Sequence, residues 1–304
     1  MLNIVTVHWQ TAKWVEPQLR YLERHLDVPY RVFASLNGID DPSVAARFHV
    51  SADLEGAHAE KLNELVRVVM EDSEPGDPLL FLDGDAFPVR PIGTWITEMR
   101  GQFPLVAVRR DENLGGCSQP HPCFCLTTGG LWDAIGGDWR EGGTWINSAG
   151  HETTDVGGTL LHQLADRGIE WHPLLRTNTV NPNALWFGVY DHRVYHHGAG
   201  FRPRISRVDH HAESVARATS TVHQKGPSLE GLATQIIRRP AKITSLRPHH
   251  LAAAASASAA RRKRIRLERE RARTAEQNDR YERQVFDQLS VDPDFFRRFD
   301  DTPA

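Results

Sequence analysis

Pro78-Leu79-Leu80-Phe81-Leu82-Asp83-Gly84-Asp85-Ala86-Phe87-Pro88 is the stretch from which the fold is read. An apolar run of strand length stops abruptly at Asp83. Unbroken hydrophobicity over so short a run fits a strand buried on both faces, as in a parallel sheet. Working outward, Asn3 to Trp9 reads as a first strand, and Tyr30 to Leu36, closed by the turn signal Asn37-Gly38, as a second. Trp14, Val15, Leu19, Leu22 and Leu26 recur at helical spacing between them, and Leu62, Leu65, Val66 and Val69 do so ahead of the Pro78 strand. Strands alternating with helices predict an α/β domain, a mostly parallel sheet flanked by helices. Leu105 to Val108 and Phe124 to Thr127 are expected as further strands, and Val156, Leu160, Leu161 and Leu164 as one face of a third helix.

The chain of 304 residues is 40% hydrophobic and 25% charged, an ordinary balance for a protein that buries a core. A net charge of -3 argues against DNA as a partner. No apolar run is long enough to span a bilayer. Met1-Leu2-Asn3-Ile4-Val5 reads as the start of a buried strand rather than as a leader, and three cysteines are too few for a disulfide framework. The expected location is therefore the cytoplasm. The composition divides the chain into a catalytic domain over 1–205, a connecting region over 206–250 and a charged helical tail over 251–304. The tail carries the arginine-dense run Arg261 to Arg273, read as a solvated helix with internal ion pairs. Homo-oligomerisation or weak contact with a membrane surface are the roles it suggests.

Asp83 and Asp85 follow the strand directly, where ligands of open α/β sheets bind. Two carboxylates so spaced can reach one divalent ion if the chain bends at Gly84. Hard oxygen ligands favour Mg²⁺ or Mn²⁺, ions that keep coordination sites for substrate phosphates. The competing reading is a solvated turn.

Leu80 to Pro88 resembles the Asp-x-Asp region of GT-A glycosyltransferases, which are nucleotide-diphospho-sugar transferases. Val7-His8-Trp9 is similar to the end of their first strand, and His58-Ala59-Glu60-Lys61-Leu62-Asn63 to the helix before their Asp-x-Asp strand. The likeness covers about residues 1–205 and implies a GT-A-like, Rossmann-like fold. It implies a hexosyltransferase-like enzyme that uses Mn²⁺ or Mg²⁺ and a nucleotide-diphosphate sugar donor. The acceptor, a glycan, lipid, small molecule or protein, stays open. By the resemblance Asp85 binds the metal, Asp83 holds metal, ribose or both, and Val7, His8, Lys61 and Asn63 lie near the nucleotide. For Lys61 and Asn63 the alternative is a solvated helix face.

Tyr195-His196-His197-Gly198-Ala199-Gly200-Phe201-Arg202-Pro203 resembles the late segment from which the family closes its metal site with a histidine. Counting from His196 sets Arg202-Pro203 where some retaining members carry Lys-Pro; counting from His197 aligns Gly200 instead. Either His196 or His197 is thus the candidate ligand, and Arg202 a candidate for the diphosphate. Ahead of the third helix, Asp155 is the first candidate for a general base acting on the acceptor and Glu152 the second. A helix cap is the alternative role for Asp155. Cys117, His121, Cys123 and Cys125 offer zinc-ligand chemistry, but the Cys-Phe-Cys alternation favours a buried strand with inert thiols.

Two rival functions are weighed. A haloacid dehalogenase-type phosphatase also carries Asp-x-Asp after a strand, but Phe87 stands where a Thr or Val is usual there. A non-catalytic scaffold would act through the charged tail.

Overall fold

A computed structural model describes residues 1–110, 118–146, 152–178 and 188–198, with positions 262, 264–269, 272, 273, 276, 280, 282–289, 291 and 292 of the C-terminal region. In chain order the elements are β1 (Leu2–Trp9), α1 (Val15–His25), β2 (Tyr30–Asn37), α2 (Pro42–Ala45), β3 (Val50–Ala52), α3 (His58–Glu71), β4 (Pro78–Asp83) and β5 (Ala86–Pro88). There follow α4 (Gly93–Gln102), β6 (Val106–Val108), β7 (His121–Thr128), α5 (Gly129–Ile135), β8 (Trp145–Ile146), β9 (Glu152–Thr153), α6 (Gly158–Asp166), β10 (His172–Leu174), β11 (Gly188–Tyr190) and β12 (Val194–His196).

Seven strands form the main sheet in the order β10-β6-β7-β4-β1-β2-β3. β1 pairs in parallel with both β2 and β4, and β7 runs antiparallel between β4 and β6. The sheet is therefore mostly parallel and covered by helices, as expected. The Asp-x-Asp strand is the fourth in sequence rather than the third, because the short edge strand β3 precedes it. A smaller sheet of β11, β12 and β5 stands beside the end of β4, and its register sets His196 opposite Ala86.

Residues alternate sides along β1. Leu2 and Ile4 join the core packed on α1 through Val15 and Leu22. Val5 and Val7 join the core packed on α3 through Leu62, Leu65 and Val66. The α3 helix is closed at its start by Glu60, whose Oε2 accepts from the Ala57 backbone N–H at 2.7 Å.

The chain divides into two compact units. The larger comprises Met1–Trp145, Thr153–Pro203 and Phe286–Ala304; the smaller comprises Ile146–Glu152 and Arg204–Val285. In the larger unit, Phe286 packs edge-on against Trp14 with ring centroids 5.3 Å apart, and Leu289 is buried. Described positions of the smaller unit in 262–282 are helical, with the i,i+4 ion pair Arg264–Glu268 at 3.5 Å. No helix among the described residues is long and apolar enough to cross a membrane.

Candidate functional site

The end of β4 delivers Asp83, the following turn delivers Asp85, and β12 delivers His196. One ligand atom from each lies within 4.8 Å of the others. His196 Nε2 is 3.5 Å from Asp83 Oδ2 and 3.5 Å from Asp85 Oδ1. Asp85 and His196 are buried, while Asp83 keeps partial exposure. Two carboxylates and one imidazole suit a divalent ion such as Mn²⁺ or Mg²⁺, so the donor set fits the expected metal. Gly84 is absent from the glycines of positive φ, so the bend does not depend on a left-handed backbone. Gly84 lines the cavity beside Asp83 and Asp85.

Two further histidines complete the surroundings of Asp83. His58 Nε2 donates to Asp83 Oδ1 at 3.0 Å, and His121 Nδ1 lies 4.0 Å from Oδ2. Burial pushes the Asp83 carboxyl up, but the His58 hydrogen bond and the charges of His58, His121 and His196 outweigh it and hold the group at about 2. Burial pushes the His121 imidazole down to about 4, aided by Arg110 and opposed by Asp83 and Asp155.

These groups open onto a cavity of about 730 Å³. Val7, Trp9 and Asn37 line it from the ends of β1 and β2, and Lys61 from α3. Arg110, Glu141 and Asp155 contribute charge to the same wall. A mixture of cations and aromatic surface beside a carboxylate pair suits an anionic ligand that bridges to a metal.

Several sequence-derived candidates are brought together here: Asp83, Asp85, His196, Val7, Lys61 and Asp155. Others are placed elsewhere. His197 follows β12 directly; its Nδ1 lies 2.8 Å from the Tyr195 hydroxyl and its ring centroid 4.5 Å from that of Trp14. Neighbouring residues of an extended chain point to opposite sides, and among the described residues it is His196 that joins the two carboxylates. The same rule turns His8 away from the cavity, where its Nε2 donates to Gln18 Oε1 at 3.1 Å. Burial lowers the His8 imidazole to about 4, against the Gln18 bond and the Asp85 charge. Asn63 donates to Asp138 Oδ1 at 2.7 Å and accepts from the Trp139 backbone N–H at 3.1 Å.

Asp155 is not the cap of α6; that position is Gly157, at φ 90°, where a Cβ would meet the Pro120 carbonyl at 2.1 Å. Asp155 Oδ1 accepts locally from the Val156 N–H at 2.9 Å. Glu152 stands on β9 with its side chain outside the described residues, and Arg202 lies outside them altogether. Cys123 and Cys125 are buried on β7, and burial raises the Cys125 thiol well above its ordinary value. His58, Arg110 and Gln18 were not nominated from sequence. His58 sits within a segment singled out there, but nothing local reveals that its ring reaches a carboxylate 25 positions away.

No family model and no curated protein matches the sequence. Among solved structures, the chain is similar to the mannosyltransferase PcManGT from Pyrobaculum calidifontis in complex with GDP-Man and Mn²⁺, at 13% identity over 78% of each chain and a TM-score of 0.41. It is also similar to a nucleotide-diphospho-sugar transferase from Desulfovibrio desulfuricans G20, at 10% identity, with 58% of this chain and 80% of that one covered and a TM-score of 0.40. For S. aureus TarS the identity is 9%, the coverage 46% of this chain and 30% of that chain, and the TM-score 0.35. The chain spans only 60% of the galactosyltransferase LgtC, at 14% identity over 44% of this chain and a TM-score of 0.31. At these values the likeness carries no weight for function, which rests on the geometry of the site.

Proposed function

We propose that the protein is a divalent-metal-dependent glycosyltransferase that takes a nucleotide-diphosphate sugar as donor. The observation that carries this reading is the meeting of Asp83, Asp85 and His196 within 4.8 Å at the wall of a cavity of about 730 Å³. Asp83, Asp85 and His196 would hold Mn²⁺ or Mg²⁺, which when bound offsets the charge of the departing diphosphate.

The chain's own residues supply the rest. Lys61 and Arg110 offer positive charge to phosphate oxygens, a role in which Arg202 is a further candidate. Val7 and the exposed indole of Trp9 form an apolar wall suited to a base or ribose face. Asp155 takes the proton of the acceptor hydroxyl as that oxygen bonds to C1 of the sugar and the bond from C1 to the diphosphate oxygen breaks. Glu152 is the second candidate for that role. The acceptor is left to experiment.

The test is a thermal-shift screen of UDP-, GDP-, TDP- and ADP-sugars with Mn²⁺, followed by turnover assays. Mn²⁺ with one donor class should raise the melting temperature, and EDTA should abolish both the shift and transfer. Asp85→Ala should do the same while keeping the fold. Full activity of that variant, or in EDTA, would remove the reading.

A further inference from the structure

Gln18 is fully buried on α1, and every polar atom of its amide is engaged. Its Nε2 donates to the Asp83 carbonyl at 2.8 Å and to the Ala86 carbonyl at 2.9 Å. Carbonyl oxygens only accept, so these two partners fix which end of the amide is nitrogen. Its Oε1 then accepts from Thr6 Oγ1 at 3.2 Å and from His8 Nε2 at 3.1 Å, both on the α1-facing side of β1.

The two carbonyls held by Gln18 bracket the metal-binding turn. Asp83 is its entrance and Ala86 its exit, with Asp85 between them. Ala86 is also the register partner of His196 across β5 and β12. A second bond, from the His197 N–H to the Asp85 carbonyl at 3.0 Å, fastens the same turn to the end of β12. A single side chain from α1 thereby holds both ends of the turn that presents Asp83 and Asp85, and that turn is itself fastened to the strand that presents His196.

We infer that Gln18 is a positioning residue of the metal site: held by Thr6 and His8, its amide fixes the Asp83–Ala86 turn so that Asp83, Asp85 and His196 meet at ion-binding separation. The inference rests on the metal reading above. Groups that orient ligands without touching a metal typically change its affinity by about 10–100-fold. Gln18 touches neither metal nor substrate, so its loss should weaken ion binding itself.

The experiment is a direct Mn²⁺ titration of the nucleotide-free, full-length protein, followed by the electron paramagnetic resonance signal of free Mn²⁺. Gln18→Met keeps the length of the side chain and removes both donors; its Kd for Mn²⁺ should rise by about 10–100-fold. Thr6→Val removes one anchor of the amide and should weaken Mn²⁺ by about fivefold, the worth of one neutral hydrogen bond. Thr127→Val is the control, since Thr127 Oγ1 donates to the Pro104 carbonyl at 3.1 Å on β7. It should lower the urea midpoint yet leave the Mn²⁺ Kd unchanged. If the wild type takes up no Mn²⁺, the metal reading itself fails. If the wild type binds and Gln18→Met binds equally well, the positioning role is overturned while the metal reading stands. An equal loss in Thr127→Val would likewise overturn it, as general destabilisation would explain the effect. Should Gln18→Met not fold, Thr6→Val decides, and an unchanged Kd there overturns the inference.

Discussion

His58 Nε2 donates to Oδ1 of Asp83 at 3.0 Å, while His196 Nε2 stands 3.5 Å from Oδ2 of the same carboxylate. Asp83 is thus held from both sides, by α3 and by β12. The consequence is electrostatic. The carboxyl, at about 2, stays ionised well into acid, although burial alone would push it the other way.

His58→Phe should keep the fold, since His58 is partly exposed at the cavity wall, but it should raise the Asp83 carboxyl pKa. The sign follows from linkage. A depressed carboxyl contributes stability that is present above its ordinary value of 3.8 and is lost as pH falls toward about 2. With a smaller depression, the loss still begins near 3.8 but is complete at a higher pH, and the contribution shrinks. Carbon-13 NMR titration of the Asp83 carboxyl in metal-free protein reads the shift directly. An unchanged titration curve would mean that His58 does not hold Asp83 in solution.

His8 gives the opposite class of group. Burial lowers its imidazole from 6.5 to about 4, so on acidification the unfolded chain takes up the proton first. Stability is therefore present above the ordinary value and falls as pH drops from 6.5 toward about 4. One such proton steepens the dependence by at most about 1.4 kcal/mol per pH unit. His121, also lowered to about 4, adds in the same direction. In EDTA, urea unfolding of His8→Asn across this window should show a slope shallower than wild type by about one proton. Equal slopes would mean that His8 is already charged in the native state.

Much of the frame could be read from the sequence, and the reasons are local. β1, α1, β2, α3 and β4 carry uninterrupted apolar periodicity, and each forms close to its expected bounds. α4 was not anticipated, because Gly93 opens it and its buried Trp95, Ile96 and Met99 do not repeat long enough to mark a face. α5 begins at Gly129-Gly130, which reads as a turn, and β5, β11 and β12 are only three residues each. In the site, Asp83 and Asp85 were legible because they end an apolar strand. That His196 rather than His197 meets the carboxylates, and that Val7 but not His8 lines the cavity, depends on which way each side chain faces, which the sequence does not state. Gln18 left no local signal: it sits on a helix, and its partner Asp83 is 65 positions away.

The C-terminal stretch offers a structural test. Leu289 is 1% exposed, and its carbonyl accepts from Arg20 Nη2 at 3.4 Å. Phe286 covers the fully buried Trp14, which also packs against His197. Leu289→Ala should cost about 2–5 kcal/mol, measured as a lowered urea midpoint. Deleting the chain from Ala252 onward removes Phe286 and Leu289, and should uncover Trp14 and destabilise the larger unit. A truncated protein that melts with the full-length chain would show that this packing contributes nothing.

Asp155 carries the last prediction, which separates catalysis from local structure. The residue lines the cavity but does not cap α6, whose cap is Gly157. Its one described local bond is acceptance by Oδ1 from the Val156 N–H at 2.9 Å. Asp155→Asn retains an oxygen for that bond, so stability should change by less than the ~1 kcal/mol that loss of a helix cap costs. An amide cannot take the acceptor's proton, however, and losing a general base typically slows reaction by about 10²–10⁴-fold. The variant should therefore melt close to wild type, bind nucleotide sugar and Mn²⁺ normally, and transfer sugar at least about a hundredfold more slowly. The decisive comparison is kcat against donor affinity in the same preparation. Near-wild-type turnover would move the role to Glu152, tested by Glu152→Gln. If neither change slowed transfer, no carboxylate of this segment would serve as base, and a retaining route without a dedicated protein base would take its place.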